Sequence, residues 1–170
     1  YGELGTRYFL KDALGIAAGL HEYFRSTDII GAAFYAQTVN VIGCIKTTKT
    51  EAFLDATALP LKLYRRHFGT GPPAVEGGAH ALDIAAAVDE KRTRITIGIV
   101  NPLAQPAEAP VEVKGLAAGT AGRVWTVAGA DPMAFNEASA PARLDIVESP
   151  VKSGAPLFQI VGLADEVVAR

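Results

Sequence analysis

The hydrophobic pattern of this chain changes its period near residue 70, and that change limits the folds that the chain can form. Before the glycine- and proline-rich residues 69–73, apolar residues recur every three or four positions, as on one face of a helix. After them, apolar and polar residues alternate, as on a half-buried β-strand. Glycine and proline interrupt regular structure. We therefore expect two parts, residues 1–70 and residues 71–170.

The first part predicts two helices with one strand between them. Residues 8–25 carry an apolar stripe at helical spacing, and two glycines within it would let the helix lie close against a sheet. Residues 57–68 predict a second helix, with Pro60 in the first turn, where a missing N–H costs little. Between them, residues 29–35 are continuously apolar, which is typical of a strand buried on both faces of a parallel sheet. Because one strand cannot form a sheet by itself, this part predicts the last piece of a larger α/β domain. The stripe consists of Leu10, Ala13, Leu14, Ala17, Leu20 and Phe24.

The second part predicts an all-β antiparallel sandwich of short strands. Residues 82–88 and 95–99 alternate in hydrophobicity, and the charged residues 89–92 between them fit the turn of a hairpin. Proline and glycine separate the remaining short apolar runs, as in a sandwich. These further predicted strands are residues 111–113, 123–127, 144–147, 157–161 and 167–168.

Composition excludes several classes of function. The net charge of −2 gives no basic surface for nucleic acid. No run reaches the roughly 18 consecutive apolar residues of a membrane span. The single Cys44 lies in an apolar run and predicts a buried thiol, and the lack of disulfides is compatible with the cytoplasm. The first residues resemble neither a signal peptide nor an initiator, so we expect a piece of a longer chain.

Two amides, Gln37 and Asn40, follow the apolar run at residues 29–35. In barrel enzymes the chemistry lies where parallel strands end. An amide both donates and accepts hydrogen bonds, which suits sugar hydroxyls. From the residues alone, Gln37 is open between a substrate-binding and a structural role, whereas Asn40 is expected to tie down the backbone.

Other polar residues carry weaker signals. His21, His67 and His80 stand without a second ligand at metal-binding spacing, which favours structural or surface roles. Asp12 is expected to be a solvated or loop-capping carboxylate. The Asn-Glu pair at residues 136–137 could carry acid/base chemistry at the end of a barrel strand, but it lies in a loop of the β-rich half. We expect it to be structural.

Three segments of the first part resemble α-L-arabinofuranosidases of glycoside hydrolase family 51. They are residues 8–14 (YFLKDAL), 26–30 (STDII) and 36–41 (AQTVNV), which occur in the same order in the C-terminal third of that family. In the second part, Val100-Asn101 and Asn136 with Pro141 look like the family's accessory domain, more loosely.

The resemblance implies the placement of both parts. Residues 1–70 would be the C-terminal portion of a (β/α)8 catalytic barrel, with residues 29–35 as its eighth strand. Residues 71–170 would be the C-terminal β-sandwich domain. Gln37 falls on the position that contacts the arabinofuranosyl ring and is the predicted substrate-binding residue. The family's two catalytic glutamates belong to the fourth and seventh strands, so we expect them outside this chain and assign no catalytic residue here.

The implied activity is retaining hydrolysis of terminal α-L-arabinofuranosyl residues of polysaccharides or oligosaccharides, without a metal or organic cofactor. The expected partners are an arabinofuranosyl-containing carbohydrate and the N-terminal remainder of the same enzyme, and homo-oligomer formation stays open. One alternative is a non-catalytic β-sandwich that binds carbohydrate or serves as a structural module. The three aromatics of the second part argue for a supporting domain, because Trp125 and Phe158 lie in apolar strand patterns. Another alternative is a related barrel glycosidase with a different sugar preference.

Overall fold

A computed structural model describes residues 4–77, 81–107, 111–117 and 120–151, and the backbone of residues 158–162. Within these residues the chain forms two helices, a two-stranded sheet and a five-stranded sheet. His80 and the strand predicted at residues 167–168 lie outside the described residues. In chain order, the elements are α1 (Leu10–Arg25), β1 (Ile45–Thr47), β2 (Ala52–Leu54), α2 (Ala58–His67), β3 (Asp83–Val88), β4 (Ile95–Asn101), β5 (Gly122–Ala128), β6 (Val147–Val151) and β7 (Phe158–Gly162).

The two helices form where the periodicity predicts them. The apolar stripe of α1 faces inward, and the Asp12 carboxylate accepts a hydrogen bond from the Phe9 N–H at 2.8 Å, which caps the helix as predicted. Pro60 lies in the first turn of α2. Gly15 and Gly19 do not serve close packing, because a Cβ added at either would meet no atom within 4 Å. The close approach to the sheet comes instead from Gly98 of β4, which lies beneath His21.

The five-stranded sheet has the order β3-β4-β7-β5-β6. The β3–β4 and β5–β6 pairs are antiparallel, as predicted. However, β7 lies between β4 and β5 and runs parallel to both, so the prediction of a purely antiparallel arrangement is wrong for this strand. Alternating hydrophobicity reports which face a residue occupies but not the direction of the neighbouring strand.

Both faces of this sheet are covered. α1 contacts β3, β4 and β7, and α2 contacts α1 and β5, so residues before and after position 70 share one buried cluster. On the opposite face, Ile97 and Ile99 pack with Ile84 and Ala86 of β3 and with Val111 and Val113. The main cluster consists of Leu10, Ala13, Leu14, Ala17, Ala56, Leu59, Leu63, Tyr64, Phe68, Ala85, Ala87, Val100, Val127 and Leu144.

Several predicted strands are displaced or absent. Residues 111–113 are not a strand although Val111 and Val113 pack on the sheet. The strand predicted at residues 144–147 begins only at Val147, as β6. Leu144 is not in a strand and is buried in the core. β2 has no counterpart in the sequence prediction, since three residues are too few for a period to show.

The prediction of a buried strand at residues 29–35 is wrong in this structure. These residues are irregular, and the side chains of Ile29 and Phe34 are 80% and 91% exposed. A strand needs neighbours to take up its backbone hydrogen bonds. Between residues 31 and 37 the backbone makes no hydrogen bond to any described part of the chain. Within the described residues, this apolar run therefore has no neighbouring strands to pair with.

Neither helix in the described ranges is long and apolar enough to cross a membrane.

Candidate functional site

The irregular segment between α1 and β1 holds Gln37, the predicted substrate-binding residue. The Gln37 side chain is exposed, and the Ala36–Gln37 peptide bond is cis. No described residue is hydrogen-bonded to this side chain, which leaves its amide free to donate and accept. The chemistry at this position therefore depends on how the backbone on either side is held.

On the N-terminal side, Tyr35 ties the segment to the start of α2. Its hydroxyl donates a hydrogen bond to Thr57 Oγ1 at 3.2 Å, and Thr57 is buried. Tyr35 is only half-buried, unlike the exposed residues around it. This contact anchors the side chain two residues before Gln37.

On the C-terminal side, Asn40 closes a tight loop against β1. Thr47 donates its N–H to Asn40 Oδ1 at 2.8 Å, and Asn40 Nδ2 donates to Thr47 Oγ1 at 3.0 Å. The Asn40 N–H donates to the Ile45 carbonyl at 2.8 Å, and the Ile45 N–H donates to the Thr38 carbonyl at 3.1 Å. Gly43 makes this loop sterically feasible, because a Cβ there would lie 2.6 Å from the Val39 nitrogen. The backbone-tying role expected of Asn40 is confirmed.

Beneath this loop lies a buried ion pair that the sequence did not predict. Lys46 and Asp55 are 3% and 2% exposed, with Nζ 3.8 Å from Oδ2. Lys46 Nζ also donates to the carbonyls of Leu4 and Val41 at 3.1 and 3.2 Å. Asp55 accepts from the N–H groups of Ala56 and Tyr8 at 2.9 and 3.3 Å. The pair thus joins the N-terminal segment, the loop and the start of α2. In a three-residue strand a buried lysine gives no periodic signal, so sequence reasoning had no means of finding it.

Burial shifts the pKa of both members of this pair toward the neutral forms. Burial raises the pKa of the Asp55 carboxyl, and the N–H groups of Ala56 and Tyr8 and the Lys46 ammonium oppose that rise. Burial lowers the pKa of Lys46, and Asp55 opposes that fall. Both groups are buried, and the contacts of the pair support the loop.

His21 is the centre of a second buried polar cluster. It is fully buried beside Gly98, its Nε2 is hydrogen-bonded to the Tyr64 hydroxyl, and its Nδ1 lies 3.2 Å from Asp83 Oδ1 without hydrogen-bond alignment. Burial lowers the pKa of His21, and the Asp83 carboxylate opposes that effect only in part. A neutral imidazole with no exposed surface therefore joins α1, α2 and the sheet.

The remaining predicted residues make contacts within the chain or are buried. The buried Asn136 donates to the carbonyls of Leu54 and Leu144 at 3.0 and 2.9 Å, and it accepts from the Leu144 N–H at 2.7 Å. Glu137 pairs with Arg143 at 2.7 Å. Cys44 is buried, as predicted. No group of three or more His, Cys, Asp or Glu that could hold a metal occurs among the described residues.

Trp125 of β5 does not present an open platform for a sugar. His67 stacks on its ring with centroids 3.9 Å apart, and its indole N–H donates to Glu148 Oε2 at 3.1 Å. One ring face and the polar edge are thus occupied within the chain. The ring is also partly buried against the main cluster, so it is engaged within the chain and not displayed as an exposed stacking surface.

Comparison with known proteins gives one consistent family. The sequence model of the α-L-arabinofuranosidase C-terminal domain matches residues 1–158. Probable α-L-arabinofuranosidases C of Aspergillus clavatus and Aspergillus flavus are each 40% identical over 60 residues, which is 35% of this chain and 12% of those proteins. The matched segment therefore spans about an eighth of the length of these curated relatives.

Solved structures agree over more of the chain. The α-L-arabinofuranosidase of Thermotoga maritima, in complex with arabinose, superposes with a TM-score of 0.77 at 26% identity over 88% of this chain and 35% of that one. The family 51 α-L-arabinofuranosidase of Thermotoga petrophila superposes with a TM-score of 0.77 at 27% identity over 88% of this chain and 36% of that one. The family model matches both helices and the strands β1 to β6, and the fold match covers 88% of the chain. The chain therefore belongs to the α-L-arabinofuranosidase C-terminal domain family.

Proposed function

We propose that this chain is the C-terminal part of a retaining α-L-arabinofuranosidase. The whole enzyme would hydrolyse terminal α-L-arabinofuranosyl residues of arabinose-containing polysaccharides or oligosaccharides. Family membership supports this activity, and so does the similarity to solved enzymes of which this chain covers 35% and 36%. The proposal includes the remainder of such an enzyme as the partner of this chain.

The exposed apolar run at residues 29–35 is the observation that carries the proposal. Burying an exposed Ile or Phe side chain is worth about 1.5–3 kcal/mol, and Ile29 and Phe34 are 80% and 91% exposed here. The unused backbone groups of residues 31–37 are those that two neighbouring strands would bind. We infer that this run completes a (β/α)8 barrel as its eighth strand, with residues 1–70 belonging to the barrel and residues 71–170 to the β-sandwich domain.

In that arrangement Gln37 lies just beyond the carboxyl end of a barrel strand. Active sites of barrel enzymes occupy this end. Its exposed amide would donate to one sugar oxygen and accept from one hydroxyl, and so orient the arabinofuranosyl ring. Hydrogen bonds of this kind raise the rate when they strengthen in the transition state.

The chemical step would come from two carboxylates outside this chain. One attacks the anomeric carbon, and the other protonates the leaving oxygen and then activates water, which requires a separation of about 5–5.5 Å. This chain would supply a wall of the sugar pocket and the final part of the barrel. The reaction as proposed uses no metal or organic cofactor.

The test begins with the intact mass, under denaturing conditions, of every polypeptide in the purified protein. We expect a chain longer than the 17.8 kDa of these residues, or a second polypeptide of barrel size. That protein should cleave 4-nitrophenyl α-L-arabinofuranoside, and NMR should show the α-anomer of arabinose as the first product. Gln37→Ala should lower kcat/KM by about 10- to 100-fold, as expected for the loss of an orienting contact.

Two results would overturn the proposal. An active protein whose first product is the β-anomer would exclude retention. A single 17.8 kDa species without hydrolytic activity would favour a non-catalytic module instead. Binding of that species to arabinan, measured by calorimetry, would then separate a carbohydrate-binding role from a purely structural one.

A further inference from the structure

Gln37 combines an exposed side chain with a backbone that is held at both flanks. Tyr35 is anchored to Thr57 on one side, and the Thr38 carbonyl accepts the Ile45 N–H at 3.1 Å on the other. A flexible glutamine would lose conformational entropy whenever it ordered around a ligand. Anchors on both sides remove part of that cost in advance.

On the C-terminal side, Asn40, three residues after Gln37, adds further hydrogen bonds to the Thr38–Ile45 contact. Its side chain makes one hydrogen bond in each direction with Thr47, at 2.8 and 3.0 Å, and its main chain bonds to Ile45 and Gly43. Its φ of 51° lies in the left-handed region, which asparagine tolerates better than most residues. Every polar group of Asn40 is therefore used to close the loop.

The other end of the loop is equally fixed. Thr47 ends β1, in which the adjacent Lys46 is 3% exposed and pairs with Asp55. The Val41 carbonyl, inside the loop, accepts hydrogen bonds from Lys46 Nζ at 3.2 Å and from the Thr6 N–H at 2.7 Å. Asn40 therefore links the Gln37 segment to a buried and rigid support.

We propose that Asn40 is a positioning residue that acts through Gln37, holding the Gln37 amide where the arabinofuranosyl ring binds. This inference rests on the proposed role of Gln37. A misplacement of about 1 Å at a positioned group costs up to 100-fold in rate. Loss of the Asn40–Thr47 clasp should therefore reduce activity even though Asn40 does not touch the sugar.

The variant that tests this is Asn40→Gly in the full-length enzyme, because glycine keeps the positive φ without strain and removes only the side-chain clasp. We expect kcat/KM for 4-nitrophenyl α-L-arabinofuranoside to fall about tenfold. Thr47→Val, which removes the Oγ1 acceptor, should act in the same direction, and Thr47→Ser should restore activity. The control is Asn101→Gly, which removes a different loop-closing asparagine side chain. Asn101 donates to the Gln105 carbonyl at 3.1 Å and accepts from the Leu103 N–H at 3.0 Å, and kcat/KM should not change there.

A double-mutant cycle separates positioning from general support. In the Gln37→Ala background, Asn40→Gly should change kcat/KM less than twofold, because the group that it positions is already gone. Independent, multiplicative losses would overturn the role of Asn40 while leaving Gln37 as a binding residue. Full activity of Gln37→Ala alone would overturn both the proposed role of Gln37 and this inference. Full activity of Asn40→Gly, with Gln37→Ala impaired, would overturn the inference alone.

Discussion

The same substitution, glycine to alanine, should have opposite effects at Gly98 and in α1. A Cβ on Gly98 would lie 2.5 Å from His21 Nε2 and 2.7 Å from the Tyr64 hydroxyl. Both side chains are buried and bonded to each other, so neither has room to withdraw. At Gly15 and Gly19 a Cβ would meet no atom within 4 Å.

The expected magnitudes follow from these distances. Overpacking a filled core costs about 1–3 kcal/mol, so Gly98→Ala should lower the free energy of unfolding by that amount. Alanine in a helix interior is favoured over glycine by about 0.8–1.0 kcal/mol. Gly15→Ala and Gly19→Ala should therefore each raise the free energy of unfolding by up to ~1 kcal/mol.

Equilibrium urea denaturation of the purified protein measures both effects. The midpoint should fall for Gly98→Ala and rise for the two helix variants, with an unchanged slope in each. A Gly98→Ala protein as stable as the parent would refute the close contact of α1 with β4. Destabilisation by Gly15→Ala or Gly19→Ala would show that these outward positions are covered in the whole protein.

Three further predictions follow from the buried polar groups and the exposed run. Lys46→Met and Asp55→Leu should each cost about 3–5 kcal/mol, because each leaves an uncompensated buried charge, and the double variant should cost less than the sum. Strict additivity in thermal denaturation would refute the pairing. Burial lowers the pKa of His21 below the usual 6.5. As the pH falls, the unfolded chain therefore binds a proton at His21 more readily than the folded chain does. The contribution of His21 to stability is therefore complete above pH 6.5 and is lost as the pH falls toward its folded pKa, and NMR should show the imidazole titrating below 6.5. A titration at or above 6.5 would contradict this. Phe34→Asp should reduce aggregation of these 170 residues expressed alone, because the ring is 91% exposed, and should impair assembly and activity of the longer enzyme. Unchanged solubility and activity would argue against the proposed barrel strand.

Local periodicity was sufficient for the elements that interact mainly with residues close in sequence. α1 and α2 form where apolar residues recur at helical spacing, and the β3–β4 hairpin forms around its predicted charged turn. In each case the pattern specifies which face is buried. The backbone hydrogen bonds form within the helix, or between two strands that a short turn joins. The segment that carries Gln37 was singled out from sequence because amides follow an apolar run there, and its substrate-binding role stays a prediction.

Contacts between distant residues required the tertiary structure. β7 lies between β4 and β5 and pairs with both, which depends on how those two strands are placed in the fold. The support of the Asn40 loop depends on Lys46 and Asp55, nine positions apart in sequence, forming a buried ion pair. The run at residues 29–35 shows the same dependence on contacts between distant residues, because here such contacts are absent from the described residues. Its sequence determines that it is apolar, but its exposed backbone and side chains show that a strand forms only where neighbouring strands are present to bind it.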